Sequence, residues 1–294
     1  MARRPEPREG HDSLDGAANE SLLERVLAGR LLVLAPHMDD ETLGCGGAML
    51  LHRHKPDIHC LFATDSAGSP APLLPWQGRP DAGLADRRRN EAVAATGKLG
   101  IPCGNLHFLD LPDGGLVVQR ARLVAKLQEV ISRLRPEFVF APFRYDVHPD
   151  HVALNQAIRT VLRRLPSPPV LLEYFVYHRL RFIPGGDVRL ALEPGRLLEL
   201  DAGPVAAVKR AALDCYVSQT SLDYPWQDRP ILTKESLRQR CAEPECFLPT
   251  DPWAPLAEGI AGNPRRLWLA TFAMRLGKRP KDRAFALVRW MLGR

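Results

Sequence analysis

A short acidic cluster follows the first strongly apolar run of the chain. Residues 31–47 read LLVLAPHMDDETLGCGG, so that His37, Asp39, Asp40 and Glu41 follow five apolar residues and a proline. Neighbouring carboxylates repel one another, so their gathering at the end of a buried strand suggests that they bind something. His37 and Asp40 are three positions apart, a spacing that lets an imidazole and a carboxylate on a tight turn reach one metal ion. Zinc binds such mixed nitrogen and oxygen ligands, and a hydrolytic zinc takes three protein ligands and leaves a position for water.

A second polar cluster offers the missing ligand. The stretch FVFAPFRYDVHPDH, from Phe138 to His151, again gives an apolar strand, a proline and then two histidines. Two strands of one parallel sheet end at the same edge, so His37, Asp40 and His151 can come together there. Asp39 would remain beside the metal-bound water, whose pKa a zinc ion lowers to about 7, and its carboxylate could accept the proton.

Together, PHMDDE and HPDH resemble the LmbE/PIG-L family of zinc-dependent N-acetylglucosamine deacetylases, whose first motif is usually written P-H-P-D-D-E. The resemblance covers roughly residues 30–220 and rests on two motifs in the right order and at the right separation. Met38 stands where the family usually has proline, which leaves the ligand positions intact but makes the turn less rigid. Weaker matches are R-x-x-E at Arg88 and Glu91, TDSAG at residues 64–68, and K-x-x-A-L…SQ at Lys209, Ala212, Leu213, Ser218 and Gln219.

The resemblance implies a metal and a base. It makes His37, Asp40 and His151 the ligands of Zn²⁺, with Fe²⁺ as the alternative metal for such a nitrogen and oxygen site. It makes Asp39 the general base that activates water. This assignment agrees with the one drawn from the residue types and their spacing alone.

The resemblance also implies roles around the metal. His148 would stabilise the oxyanion and then help to protonate the leaving amine. Asp150 would orient His148, as carboxylates behind such histidines do. The candidate substrate contacts are Arg88, whose guanidinium suits hydroxyls or a phosphate, and Asp113 in the stretch LPDGG.

The elements that must position these residues alternate along the first part of the chain. Continuous apolar strands between helical segments predict an α/β fold: a Rossmann-like, mostly parallel sheet with helices on both faces and the metal site at the carboxyl ends of the strands. The predicted strands are RLLVLAP, IHCLFAT, LHFLDL, EFVFAP and VLLEYFVY, and the predicted helices cover residues 42–54, 84–99, 118–134 and 150–164.

The remaining segments carry weaker signals. RLLELDAGPVAAVKRAALDCYVSQ predicts a strand, a turn at Gly203 and Pro204, and a helix, whereas the segment 221–262 is rich in Pro and Trp and predicts irregular structure. The Pro-rich stretch SPAPLLPWQGRP predicts a long loop at 69–80. We therefore divide the chain into a flexible polar tail at 1–20, a deacetylase-like domain at 21–262 and a basic amphipathic helical segment at 263–294.

The positive charge of the chain is concentrated at its C-terminus. From Arg265 to Arg294 there are nine Lys or Arg and one Asp, a formal charge of +8 that leaves −2 for the rest of a chain whose net charge is +6. A nucleic-acid function for the whole protein therefore loses its main support, and we expect no nucleic-acid partner. The basic segment contains Trp, Phe and Leu among its arginines; it either packs on the domain or makes a peripheral contact with anionic lipid.

The cysteines and the N-terminus bear on location. Six scattered cysteines without C-x-x-C spacing indicate reduced thiols in a cytoplasmic protein rather than a disulfide framework. The basic start MARRPEPREGHD has no apolar stretch behind it and does not resemble a secretory signal. The oligomeric state stays open.

Simpler interpretations exist for several of these residues. The acidic run could serve only as a helix N-cap, although that would leave the second cluster unexplained. GCGG lacks the spacing of a dinucleotide-binding loop, so close packing of a helix on the sheet explains it better. Arg88 could be a solvated helix charge.

The sequence thus predicts a zinc-dependent hydrolase that removes the N-acetyl group from an N-acetylglucosamine-containing substrate and releases acetate. The alternatives are a hydrolase of another small N-acyl amide and a sugar- or metal-binding module without turnover. A binding module would need neither a spare base at Asp39 nor an oxyanion donor at His148.

Overall fold

A seven-stranded sheet forms the centre of the protein. The computed structural model describes residues 16–72, 78, 80–178, 187–256 and 258–260. In chain order the strands are β1 Leu31–Ala35, β2 Ile58–Thr64, β3 Leu106–Leu111, β4 Phe138–Pro142, β5 Val170–Tyr174, β6 Leu198–Leu200 and β7 Glu245–Thr250. The helices are α1 Gly16–Val26, α2 Asp40–Leu51, α3 Leu84–Lys98, α4 Arg120–Leu134, α5 Pro149–Leu162, α6 Ala206–Leu213, α7 Val217–Thr220 and α8 Lys234–Ala242.

The strand order creates a crevice beside β1. The order is β3-β2-β1-β4-β5-β7-β6, and the first five strands of the chain run parallel. Val33 at the middle of β1 pairs with Cys60 on one side and with Phe140 of β4 on the other. The chain thus moves outward from β1 to β3 and then returns to the other side at β4. Ligands bind at such a reversal point, beyond the carboxyl ends of the strands, and both polar clusters follow these two strands.

Helices cover both faces of the sheet. Leu31, Val33 and Ala35 point to a core shared with α2, α3 and α6, whereas Leu32 and Leu34 point to a core shared with α4 and α5. All five side chains are buried. Because both faces of β1 are covered, its sequence is continuously apolar rather than alternating. The predicted fold class is confirmed.

The glycines of GCGG allow α2 to lie close to its neighbours, as predicted. A Cβ atom on Gly44 would lie 2.3 Å from Cδ2 of Tyr174, and one on Gly47 would lie 2.5 Å from Cβ of Ala202. Any larger residue would therefore push α2 away from β5. Since α2 begins at Asp40, this packing also fixes the height of the acidic cluster above the sheet.

The prediction of irregular structure over 221–262 is wrong in part. The segment contains α8 and β7, and β7 enters the sheet antiparallel to β5 with Tyr174 opposite Phe247. Pro249 interrupts the apolar pattern of β7, and Glu245 opens it, so the segment lacks the signature of a central strand. Burial overrides this local signal, because Phe247 stacks on Phe140 with ring centroids 4.6 Å apart.

Helix α1 begins within residues 1–20, the stretch predicted to be a flexible polar tail. Residues 16–20 belong to α1, because Leu22 and Leu23 pack on the core and draw the helix against the sheet. Asn19 adds a hydrogen bond from its side-chain amide to the carbonyl of Gly195, 3.0 Å away.

The predicted basic helical segment, and with it the possible membrane contact, lies outside the described residues, which end at 260. The domain boundaries at 21 and 262 therefore stay predictions. Within the ranges that the structure describes, no helix combines the length and the apolar composition needed to cross a membrane.

Candidate active site

A tight turn after β1 brings the first two predicted ligands together. Pro36 ends the strand, and the backbone N–H of His37 donates to Oδ2 of Asp40 at 3.0 Å. The same oxygen lies 3.1 Å from Nδ1 of the His37 ring. Asp40 is also the first residue of α2, so the helix start and the turn together hold its carboxylate at the carboxyl end of β1.

The third predicted ligand meets the same carboxylate. Nε2 of His151, in the first turn of α5, lies 3.2 Å from Oδ2 of Asp40. The His37 and His151 rings are 5.4 Å apart. One carboxylate oxygen of Asp40 therefore lies between two imidazole nitrogens, and the two histidines follow different strands, β1 and β4. His37, Asp40 and His151 are brought together, as the sequence predicted.

The donor atoms at this edge fit a cation. Nitrogen atoms of His37, His148 and His151 lie within 4.8 Å of one another, and so do ligand atoms of His37, Asp113 and Asp150. Nε2 of His37 and both ring nitrogens of His151 are buried and have no hydrogen bond of normal geometry. Buried polar atoms without a well-formed hydrogen bond are uncommon in native proteins, and a metal is one of the groups that can satisfy them. Imidazole and carboxylate donors suit zinc and also iron.

The electrostatics of the cluster favour bound positive charge. Burial alone would lower the pKa of His151, but the negative charges of Asp40 and Asp146 raise it to about 9. The same holds for His37. Burial lowers its pKa, but the carboxylates of Asp113, Asp150 and Asp40 have the larger effect and raise the pKa well above the usual value. The carboxylates thus attract protons onto the histidines, and the same excess of negative charge would attract a divalent cation.

Asp39 lies next to the candidate ligands in an unusual backbone conformation. Its φ is 144° and its ψ is −25°, and the residue is 7% exposed. Burial raises the pKa of the Asp39 carboxyl to about 7; Arg88 opposes this shift, whereas the charges of Asp40 and Glu41 add to it. The candidate base is therefore at the same strand end as the candidate ligands, but its carboxylate has a different set of neighbours.

Arg88 lies beneath the turn rather than on the surface of α3. It is 2% exposed, donates to the carbonyl of Met38 and places Nη2 3.4 Å from Oδ2 of Asp39. Arg88 is thus not a solvated helix charge. A contact with substrate stays a prediction.

Asp113 reaches the candidate metal site from the loop after β3. Its Oδ1 lies 3.2 Å from Nε2 of His37, and its Oδ2 accepts the N–H of Gly68 at 2.9 Å. The charge of His37 overcomes the effect of burial and holds the pKa of Asp113 well below its usual range. The structure therefore brings Asp113 to the cluster that the sequence reasoning assigned to metal binding, and its contact with substrate stays a prediction.

His148 and Asp150 are joined through the backbone. The N–H of Asp150 donates to Nδ1 of His148 at 3.2 Å, which makes His148 the N-cap of α5. The carboxylate of Asp150 accepts the N–H groups of Gly114 and Leu116 at 2.7 and 3.1 Å, and lies 3.4 Å from Nε2 of His37. The ring of His148 is 4.6 Å from that of His37. Orientation of His148 by the Asp150 carboxylate stays a prediction.

Two residues at this edge were missed by the sequence reasoning. Asp146 places Oδ2 3.3 Å from Nδ1 of His151, and its Oδ1 accepts the N–H of His148 at 2.8 Å. Histidines that bind metals usually pair their second nitrogen with a carboxylate, and Asp146 stands in DVHPDH, so that rule could have found it. The ring of Tyr177 lies 5.5 Å from that of His151, and nothing in the sequence around it signals this position.

Comparisons with known proteins agree with this architecture. The family described as "PIG-L: GlcNAc-PI de-N-acetylase" matches residues 32–162, which include both polar clusters. The probable N-acetyl-alpha-D-glucosaminyl L-malate deacetylase 2 of Bacillus subtilis (strain 168) is 27% identical over 201 residues, covering 65% of this chain and 83% of that protein.

Solved structures share the fold at lower identity. The N,N'-diacetylchitobiose deacetylase of Pyrococcus horikoshii matches with a TM-score of 0.57 and 19% identity, over 83% of this chain and 96% of that chain. GalB of Pseudomonas putida KT2440, a 4-carboxy-2-hydroxymuconate hydratase, matches with a TM-score of 0.53 and 20% identity, over 78% and 98% of the two chains. Since a deacetylase and a hydratase both share this fold, the reaction must be argued from the side chains.

Proposed function

Residues 32–162 are a domain of the PIG-L (LmbE) family, and from this premise we propose that the protein is a metal-dependent deacetylase. It removes the N-acetyl group from an N-acetylglucosamine-containing substrate and releases acetate. The observation that carries the proposal is the position of Asp40, whose Oδ2 lies 3.1 Å and 3.2 Å from nitrogens of His37 and His151 while Asp39 stands beside it. A cation site with a separate carboxylate next to it is what metal-assisted amide hydrolysis requires.

His37, Asp40 and His151 would hold the metal, with zinc as the first choice and Fe²⁺ as the alternative. When bound, the metal supplies Lewis acidity toward an amide oxygen and makes water acidic enough to react at neutral pH. Asp146 supports this set, because its carboxylate faces the second nitrogen of His151 at 3.3 Å and so fixes the orientation of the ring.

Asp39 is the general base in this proposal. Its carboxylate accepts a proton from the attacking water and can return it to the departing amine. The guanidinium of Arg88, 3.4 Å from Oδ2 of Asp39, holds the carboxylate at the strand end. Because Asp39 is nearly buried, the proton transfer takes place away from bulk water, where the interactions of the carboxylate are stronger.

His148 stabilises the negative charge that develops on the amide oxygen and helps to pass the proton held by Asp39 to the leaving nitrogen. Asp150 contributes to the orientation of His148 and of His37, which its carboxylate approaches at 3.4 Å. Arg88 and Asp113 are the proposed substrate contacts among the residues at this edge. Asp113 is the more accessible of the two, with a side chain 11% exposed against 2% for Arg88.

The test of the substrate class is a panel of amides given to the zinc-loaded protein, with acetate measured by a coupled assay. N-acetylglucosaminides with different aglycones form one arm, and N-acetyl amino acids and simple acetanilides form the other. Acetate from the sugars alone supports the proposal. Acetate from the non-sugar amides at equal or higher kcat/KM would replace it with a general N-acyl amidase. Tight zinc binding without acetate from either arm would favour a binding module.

A further inference from the structure

The backbone of Asp39 has a rare conformation that neighbouring groups must stabilise. A φ of 144° places this non-glycine residue in a region that L-amino acids rarely adopt because of steric strain. Such a conformation persists only if the neighbouring groups fix both adjoining peptides. The carbonyl of Asp39 already accepts the N–H of Leu43 at 2.9 Å, as the first turn of α2 requires.

Three side chains hold the two peptides that precede Cα of Asp39. The N–H of Met38 donates to Oγ of Ser66 at 2.9 Å, and the carbonyl of Met38 accepts from Arg88. The N–H of Asp39 itself donates to Oε2 of Glu41 at 3.0 Å. Each of these side chains is buried, so none of the bonds competes with water.

Glu41 is held in turn by a residue far away in the chain. Its Oε1 accepts from the hydroxyl of Tyr216, at the junction between α6 and α7, and from Oγ1 of Thr42 at 2.5 Å. Glu41 and Tyr216 are both fully buried. A buried carboxylate with one oxygen tied to Tyr216 and the other to the N–H of Asp39 has little freedom to rotate, so Tyr216 and Asp39 are linked through Glu41.

We propose that Glu41 and Tyr216 are positioning residues that hold the general base in its working orientation. The inference rests on the proposed role of Asp39 and extends it: neither residue needs to touch substrate or metal, and both act through the N–H of Asp39. If the hydroxyl of Tyr216 is removed, the Glu41 carboxylate gains a second orientation, the N–H of Asp39 loses its partner for part of the time, and φ relaxes toward negative values. A shift of about 1 Å in a reacting group can lower the rate by about 100-fold.

The chain offers a matched pair of substitutions. Tyr216→Phe removes one buried hydroxyl that donates to Glu41. Tyr174→Phe removes another, since Tyr174 is equally buried and donates to the carbonyl of Leu34 at 2.8 Å. Both changes keep the ring and its packing, so a general loss of stability should be similar in the two variants. Of the two tyrosine hydroxyls, only that of Tyr216 is bonded to the carboxylate that holds Asp39.

The experiment measures kcat, KM and bound zinc for the full-length, zinc-loaded wild type and both variants, with crystal structures of all three. We expect Tyr216→Phe to lower kcat about 10- to 100-fold with KM and zinc content unchanged, and Asp39 φ to leave the positive region. Tyr174→Phe should stay within about twofold of wild type and keep φ positive.

A double variant tests the route of the effect. In a Glu41→Ala background, Tyr216→Phe should change kcat by less than about twofold, because the link to Asp39 is already broken. Equal kcat for the two tyrosine variants, a multiplicative effect in the Glu41→Ala background, or an unchanged Asp39 φ in Tyr216→Phe would each overturn the inference. If the wild type releases no acetate, the proposed function fails, and the crystal structures still decide whether Tyr216 holds the backbone of Asp39.

Discussion

Oδ2 of Asp40 lies 3.2 Å from Nε2 of His151. The contact joins the residue that opens α2, after β1, to the first turn of α5, after β4. Both residues are almost fully buried, with exposed fractions of 2% and 0%. The two polar clusters of the sequence thus form one site at the reversal point of the sheet, and this site carries the proposed chemistry.

Zinc should stabilise the folded protein through Asp40. At a free zinc concentration 100 times the dissociation constant, binding adds about 2.7 kcal/mol to the free energy of unfolding. Asp40→Asn should abolish this gain, because a ligand carboxylate is lost. Asp110→Asn is the control, since Asp110 is more than half exposed and pairs with Arg89 away from the cluster. The free energy of unfolding of all three proteins is measured in urea at fixed free zinc. If zinc stabilises Asp40→Asn as much as wild type, Asp40 is not a ligand.

Close packing of α2 on β5 should make Gly44 intolerant of a side chain. Gly44→Ala would place Cβ 2.3 Å from Cδ2 of Tyr174, and we expect a loss of about 1–3 kcal/mol. Gly97→Ala, in α3, meets nothing within 4 Å and should gain up to about 1 kcal/mol from helix propensity. The unfolding free energies of the two variants are measured by circular dichroism in urea. Equal stability would mean that α2 can move away from the sheet at no cost.

The buried ion pair of Lys209 and Glu245 should be costly to break. Nζ of Lys209 lies 2.6 Å from Oε1 of Glu245 and 3.3 Å from the carbonyl of Leu43, and the Glu245 carboxylate accepts the N–H groups of Gly47 and Ala48 in α2. Lys209→Met leaves a buried carboxylate without its cation, and we expect a loss of about 3–5 kcal/mol.

Glu235→Gln is the control for this prediction, because Glu235 pairs with Arg238 on an open surface where both side chains are about three-quarters exposed. Such pairs contribute about 0–1 kcal/mol. Chemical unfolding of the two variants beside wild type gives the comparison. A loss below 1 kcal/mol in Lys209→Met would mean that the pair is not needed to hold α2.

Acid should destabilise the protein partly through His107. Burial, together with the charges of His59 and Arg133, lowers the pKa of His107 to about 4. The unfolded value is about 6.5, so between pH 6.5 and 4 the unfolded chain binds more protons at this residue, and its contribution to stability is lost as the pH falls. His107→Gln should therefore lose less stability than wild type between pH 7.5 and pH 5. Urea unfolding at the two pH values measures this. An equal loss of unfolding free energy in His107→Gln and in wild type would contradict the prediction.

Much of the fold follows from short-range signals in the sequence. β1 and β4 are continuous apolar runs, as strands covered on both faces must be, and β2, β3 and β5 are mostly apolar; the predicted strands lie within a few residues of the observed bounds. β7 could not be found in this way. Its neighbours β5 and β6 supply the burial and the hydrogen bonds that its own residues, with Glu245 first and Pro249 inside, do not predict.

The candidate site likewise contains features that the local sequence predicts and features that it does not. The meeting of His37, Asp40 and His151 follows from two motifs at two strand ends and from the rule that parallel strands end together. The positive φ of Asp39 and the burial of Arg88 could not be foreseen, because they depend on contacts between segments that are distant in the sequence. Asp146 was within reach, since carboxylates commonly face the second nitrogen of a metal-binding histidine.

The measurement that tests the central claim most directly is acetate release from an N-acetylglucosaminide by the zinc-loaded wild type and by Asp39→Asn, with bound zinc determined in both. A general base contributes about 10²- to 10⁴-fold to such a reaction. We expect the variant to keep its zinc and its KM and to lose kcat by a factor in this range. A variant that keeps more than about one-tenth of wild-type kcat with zinc unchanged would contradict the assignment of Asp39 and the mechanism built on it.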